Sequence, residues 1–191
     1  GSKIAAAQDA RAMYYYQLGV DEEFSLEARA KVDFIPNDSQ AAFGLMARDD
    51  MHVDNGDLGK GNDTTGKDIS TASYVVAGAR GKEKKWYGYT RTSLTTAPNV
   101  IDSNVTLPEI VAAGQTYDLS LSYQNGQYTV QINDGKAVST SIDLNAVDSQ
   151  YKYVGMFATR QTGVTFDRIC FTKGSNKEPV MVQKATVKGN V

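Results

Sequence analysis

The chain has 191 residues, 41% hydrophobic and 22% charged, with a net charge of −2 at pH 7. That length suits one domain with a sizeable core, and the nearly balanced charge leaves no electrostatic footprint for nucleic acid. No apolar run approaches the ~20 residues needed to span a bilayer, no signal-peptide pattern opens the chain, and the single Cys170 allows neither an internal disulfide nor a cysteine metal cluster.

Taken in order, the chain reads as strands. Gly1-Ser2 reads as a cloning scar, so residues 1–4 are set aside and a module cut from a longer protein is expected. Ala12–Gly19 (AMYYYQLG) carries three successive tyrosines, which suits a strand. Phe24–Phe34 (FSLEARAKVDF) alternates Phe24, Leu26, Ala28, Ala30, Val32 and Phe34 against Ser25, Glu27, Arg29, Lys31 and Asp33. That period of two predicts a half-buried antiparallel strand, closed by the turn chemistry of Pro36-Asn37-Asp38-Ser39.

Ala41–Asp50 (AAFGLMARDD) differs, because Gly44 and Met46 occupy the phase opposite Phe43, Leu45 and Ala47. Small and apolar residues in both phases predict a central strand covered on two sides. It ends abruptly in Arg48, Asp49 and Asp50. Met51–Ser70 is polar, Gly-rich and aperiodic, and reads as a long exposed loop of the kind that is often functional. Ser73–Gly78 resumes the sheet, and a charged turn leads into the strand Trp86–Thr92. Leu94–Ala113 is irregular, with Pro98 and Pro108.

Thr116–Tyr123, Gln127–Ile132 and Lys136–Ile142 are joined by Asn125-Gly126 and Asn133-Asp134-Gly135, both hairpin signals. Asp143–Gln150 has room for a short helical turn. Tyr153–Thr159 and Val164–Thr172 complete the sheet. In the last of these, Val164 and Phe166 are out of phase with Ile169 and Phe171, which predicts a bulge at Asp167–Arg168. About ten strands at this spacing make an all-β antiparallel sandwich of jelly-roll type. Its expected core is Phe24, Leu26, Val32, Phe43, Leu45, Leu119, Leu121, Val130, Ile132, Phe157, Phe166 and Ile169. Residues 5–173 form the expected module and 174–191 a linker or final edge segment.

The order FSLEARAKVDF, FGLMARDD, SYVVAG, a Tyr-rich hairpin, then YVGMFATR and VTFDRICF resembles the concanavalin-A/laminin-G-like jelly rolls attached to secreted bacterial polysaccharide-degrading enzymes. It is similar in particular to the non-catalytic modules appended to pectate lyases, over Ala5 to Thr172. The resemblance implies an extracellular carbohydrate-binding module. Its expected partners are a plant-wall glycan, with pectin or galacturonan favoured, and a catalytic domain of the same polypeptide. Nucleic acid and membrane are not expected partners.

Candidate site residues follow from chemistry. Sugars present apolar ring faces to aromatics and hydroxyls to fixed polar groups, so Trp86, Tyr87 and Tyr89 are candidate platform residues, with core packing as the competing account. Arg48 and Arg160, each at the end of an apolar run, could clamp a uronate carboxylate. Internal pairing with Asp49, Asp50 or Asp167 competes with that reading, and Asp49 is a further candidate ligand contact. Asp54, Asp57 and Asp63 in the acidic loop could supply calcium with oxygens, although the EF-hand spacing is absent. The resemblance also implies a structural calcium. An enzyme is not expected. His52 is the only histidine and no GxSxG or HExxH motif is present. A concanavalin-like glycosidase or lyase, and a laminin-G-like adhesin, remain the alternatives.

Overall fold

The computed structural model of the protein describes residues 12–49, 51, 73–82, 88–91, 99–145, 149–174 and 180–189. Among them are twelve strands and no helix: β1 (Ala12–Gly19), β2 (Phe24–Phe34), β3 (Ala42–Arg48), β4 (Tyr74–Arg80), β5 (Gly88–Arg91), β6 (Asn99–Val100), β7 (Thr116–Gln124), β8 (Gln127–Ile132), β9 (Val138–Thr140), β10 (Tyr151–Ala158), β11 (Gly163–Lys173) and β12 (Val180–Lys188). They pair into two six-stranded sheets, β1-β10-β3-β4-β5-β6 and β12-β11-β2-β7-β8-β9, antiparallel throughout. This is the expected antiparallel β-sandwich.

The alternation of β2 seats Phe24, Leu26, Ala28, Ala30 and Val32 in the core. Phe34, in the same phase, is exposed instead, at the last position of the strand. Both residues of the Asn125-Gly126 turn have positive φ (51° and 75°), as a two-residue type I′ hairpin requires. The bulge in β11 falls where the phase change placed it. Pairing with β2 slips between Asp167 and Cys170, and Arg168 takes φ 51°. Asp143–Gln150 holds no regular element over its described residues. Val180–Lys188 adds an edge strand beside β11.

All twelve expected core residues are buried. Eleven lie between the sheets, but Phe157 belongs to a second cluster with Ala42, Met46, Tyr74, Val76 and Tyr89. That cluster exists because β3 is apolar in both phases. Phe43, Leu45 and Ala47 face the second sheet, whereas Ala42, Gly44, Met46 and Arg48 face outward, and every residue of the strand is buried. Gly44 and Gly78 are directly paired across β3 and β4. A Cβ at Gly78 would run into the Phe43 carbonyl, so no other residue fits between these backbones.

Candidate functional site

The outer face of the first sheet gathers the chain's most distinctive side chains. In β10, Val154 and Met156 point to the core, so Tyr151, Tyr153, Gly155 and Phe157 point outward. Antiparallel register then aligns two rows across the sheet. One runs Gln17, Tyr153, Arg48, Tyr74, Arg91 across β1, β10, β3, β4 and β5. The other runs Tyr15, Gly155, Met46, Val76, Tyr89, Val100 and reaches β6.

The two ends of these rows differ. At the β1–β10 edge the tyrosines are open: Tyr15 is 37% exposed and Tyr151 41%. Tyr15 meets Tyr153 edge to face, with ring centroids 5.5 Å apart and an interplanar angle of 83°, the geometry that ring quadrupoles favour. Gly155 lies opposite Tyr15 and contributes no side chain, so the floor beside the ring is bare backbone. Further in, the row is closed. Arg48 and Tyr74 are fully buried and Arg91 is nearly so. Arg48 Nη1 lies 3.7 Å from Met46 Sδ. Arg91 Nε and Nη1 make no hydrogen bond among the described residues.

The inner phase of the same strands holds a second polar group. Lys152 is fully buried in phase with Val154 and Met156. Its Nζ lies 3.7 Å from the centroid of the Tyr123 ring and 5.2 Å and 5.7 Å from those of Phe24 and Tyr128. Burial pushes this ammonium down to about 8, against the opposing pull of Asp21, Glu22 and Glu23. Burial likewise raises the Tyr128 phenol, helped by Tyr123, Asp143, Asp49 and Asp21.

A family model, the pectate disaccharide-lyase N-terminal domain, matches residues 1–176. The chain belongs to this family. Pectate lyase L of Thermoclostridium stercorarium is 25% identical over 173 residues, which is 90% of this chain and 12% of that protein. The chain thus spans about an eighth of that relative's length. Among solved structures, a functionally unknown protein from Saccharomyces cerevisiae superposes with a TM-score of 0.51 at 10% identity, covering 90% of this chain and 84% of that one. Lectin II from Ulex europaeus gives a TM-score of 0.47 at 10% identity, covering 97% and 83%. At these identities the structural likenesses concern the fold alone.

Within this pectate disaccharide-lyase N-terminal domain, the residues singled out in the sequence are dispersed. Arg48 and Tyr89 do share the outer face of the first sheet, in adjacent rows, but both are buried. Arg160 does not join them. Because β10 runs antiparallel to β3, its C-terminal end pairs with Phe43 while Arg48 pairs with Tyr153. The two arginines therefore sit at opposite ends of the sheet, on the order of 20 Å apart at ~3.4 Å per residue. Arg160, at φ 48°, instead meets Asp38, with Nε 3.5 Å from Oδ2. Its partner is thus none of the aspartates considered from sequence.

Asp49 follows Arg48 into the opposite phase. It is fully buried, anchored by its N–H to Ser73 O at 3.2 Å, and its charge acts on the Tyr128 phenol. It is therefore an interior group and not a surface ligand. Trp86, Tyr87, Asp54, Asp57 and Asp63 lie outside the described residues. Among the described residues no three His, Cys, Asp or Glu side chains gather as a metal site. Sequence reasoning passed over Tyr151, Tyr153, Tyr74, Arg91 and Lys152. Strand phase alone would have paired Tyr151 with Tyr153 and turned Lys152 inward with Val154, but only the cross-strand register joins Tyr15 to them.

Proposed function

We propose that this domain is a non-catalytic carbohydrate-binding module that holds an acidic plant-wall glycan, galacturonan foremost, for a lyase active site elsewhere in a longer secreted polypeptide. The observation that carries the reading is the open tyrosine platform of Tyr15, Tyr151 and Tyr153, which continues in register into Arg48. Stacking supplies contact area against the apolar faces of the sugar rings, and Gln17 opposite Tyr153 adds a hydrogen-bonding group for orientation. The Arg48 charge lies one strand inward, so a uronate on the platform feels a positive field that a neutral sugar does not use. Family membership and the pectate lyase relative support the same substrate class.

Isothermal titration tests it. De-esterified polygalacturonate should bind, more weakly as salt rises, and a neutral glucan should not compete for the platform. Tyr15→Ala and Tyr151→Ala remove exposed rings without touching the core, and each should weaken binding by ~5-fold or more, the loss of about 1 kcal/mol. No unsaturated products should be released. Unchanged affinity in both variants removes the platform, and product release converts the reading to a lyase.

Calcium held by Asp54, Asp57 and Asp63 is a structural adjunct of this reading, supported by the supply of oxygen ligands in their segment. The expected result is a Tm that rises with millimolar calcium and falls back with chelator. Identical melts under the two conditions remove the metal from the account.

A further inference from the structure

The outer face of the second sheet is built quite differently from the tyrosine platform. Here Asp167, Arg29 and Asp118 align across β11, β2 and β7, and Glu27, Ser120 and Gln131 form the next row across β2, β7 and β8. Between the rows lies a groove of about 310 Å³, floored by Ala28 and Leu119 and lined by Glu27, Arg29, Ser120, Gln131, Asn133 and Arg168. That volume is at the lower end for small-ligand sites, ~300–1,000 Å³.

Its polar groups are held in place. Arg29 Nε donates to Asp118 Oδ1 at 2.9 Å. Asn133 Oδ1 accepts from the Asp118 N–H at 2.9 Å, so its amide nitrogen remains to donate. Gln131 Nε2 donates to Gly135 O at 2.7 Å, so its Oε1 remains to accept. Arg168 reaches the groove only because the β11 bulge takes it out of the ladder, at φ 51°. Bulges that re-aim a side chain in this way recur next to functional sites.

The charges decide the ligand class. Arg29 and Arg168 line the groove together with Glu27 and Asp118, Arg29 being paired to Asp118 and lying beside Asp167. A polyanion gains nothing from that balance. Alternating guanidinium, carboxylate, amide and hydroxyl groups instead match sugar hydroxyls, which donate and accept at once. We propose that this groove is a second glycan site that takes a neutral oligosaccharide through its hydroxyls. The domain then bridges two polymers, an acidic one on the first sheet and a neutral one on the second. This inference rests on the carbohydrate-binding reading and adds to it a second face and a second ligand class.

NMR titration of ¹⁵N-labelled protein tests it, with neutral galacto-, gluco- and xylo-oligosaccharides in one arm and oligogalacturonate in the other. At least one neutral sugar should shift the amides of Glu27, Ser120, Gln131 and Arg168 and leave Tyr15 and Tyr153 still. Arg168→Gly accommodates the positive φ and removes the whole side chain with its guanidinium. It should weaken neutral-sugar binding by ~10-fold or more while oligogalacturonate binds as before. Neutral sugars that shift only the tyrosine face, or that shift nothing while oligogalacturonate binds, overturn the groove and leave the proposed function standing. If neither class of sugar shifts any amide, both fall.

Discussion

Replacing Lys152 with methionine is expected to stabilise the domain by about 1–3 kcal/mol at pH 7. The wild-type ammonium is fully buried and makes no hydrogen bond among the described residues. Its compensation comes from the Tyr123 ring, 3.7 Å away, and from the charges of Asp21, Glu22 and Glu23, which together recover only part of the desolvation cost. Methionine keeps the length and volume of the stem and removes the charge. The same balance predicts a distinct pH profile. Burial lowers Lys152 from 10.5 to about 8 in the folded state, so between those values the unfolded chain binds the proton and the folded chain does not. Stability should therefore rise as pH increases from about 8 toward 10. Above 10 the slope reverses, because burial raises the Tyr117 phenol to about 12 and shifts Tyr128 in the same direction. Those groups then keep protons that the unfolded chain has lost. Urea denaturation at pH 7 and pH 9 checks both parts. Lys152→Met should be the more stable protein at pH 7 and should lose the rise. A variant no more stable than wild type would mean that the aromatic cage fully offsets burial.

The contrast between Lys152 and Arg48 shows what could be read from sequence and what could not. Local periodicity is written in the chain, so the β2 pattern gave its strand limits and core face directly, and the broken phase around Asp167–Arg168 located the bulge. The two hairpin turns were equally legible, because asparagine tolerates the left-handed φ that Asn125 and Asn133 adopt. Pairing between distant strands leaves no such local mark. Two apolar runs that each end in arginine look as if they share a rim, but β3 and β10 are antiparallel neighbours, so similar sequences place their ends apart. Likewise, a strand apolar in both phases says that both faces are covered without saying which faces the second sheet, and Phe157, expected in the core, packs in the outer cluster with Met46 and Tyr89. The tyrosine platform joins β1 to β10, residues far apart in sequence, and no pattern within either strand announces it.

Gly78→Ala is expected to destabilise the domain by about 3 kcal/mol or more, from one added methyl group. The residue lies in a fully buried strand and pairs with Gly44 on β3. The added Cβ meets the Phe43 carbonyl oxygen and lies 2.9 Å from the Gly44 Cα. Those are backbone atoms in the middle of a sheet, and they cannot swing aside as a flexible side chain would. Relief requires β3 and β4 to separate, which costs ladder hydrogen bonds on both sides of the pair. Gly126→Ala is the control. It sits in the β7–β8 hairpin at φ 75° with nothing within 4 Å of the new Cβ, so it carries only the conformational cost of a left-handed alanine, about 1–2 kcal/mol. The comparison separates close backbone approach from positive φ as reasons for glycine. It also bears on the site, because the row through Arg48, Tyr74 and Arg91 crosses the same two strands four residues from the glycine pair. Gly78→Ala should therefore weaken polygalacturonate binding in whatever fraction remains folded, whereas Gly126→Ala should leave binding intact. A Gly78→Ala protein as stable as Gly126→Ala would show that the sheet yields at this pair, and the tight β3–β4 approach would then not be what positions the arginine–tyrosine row.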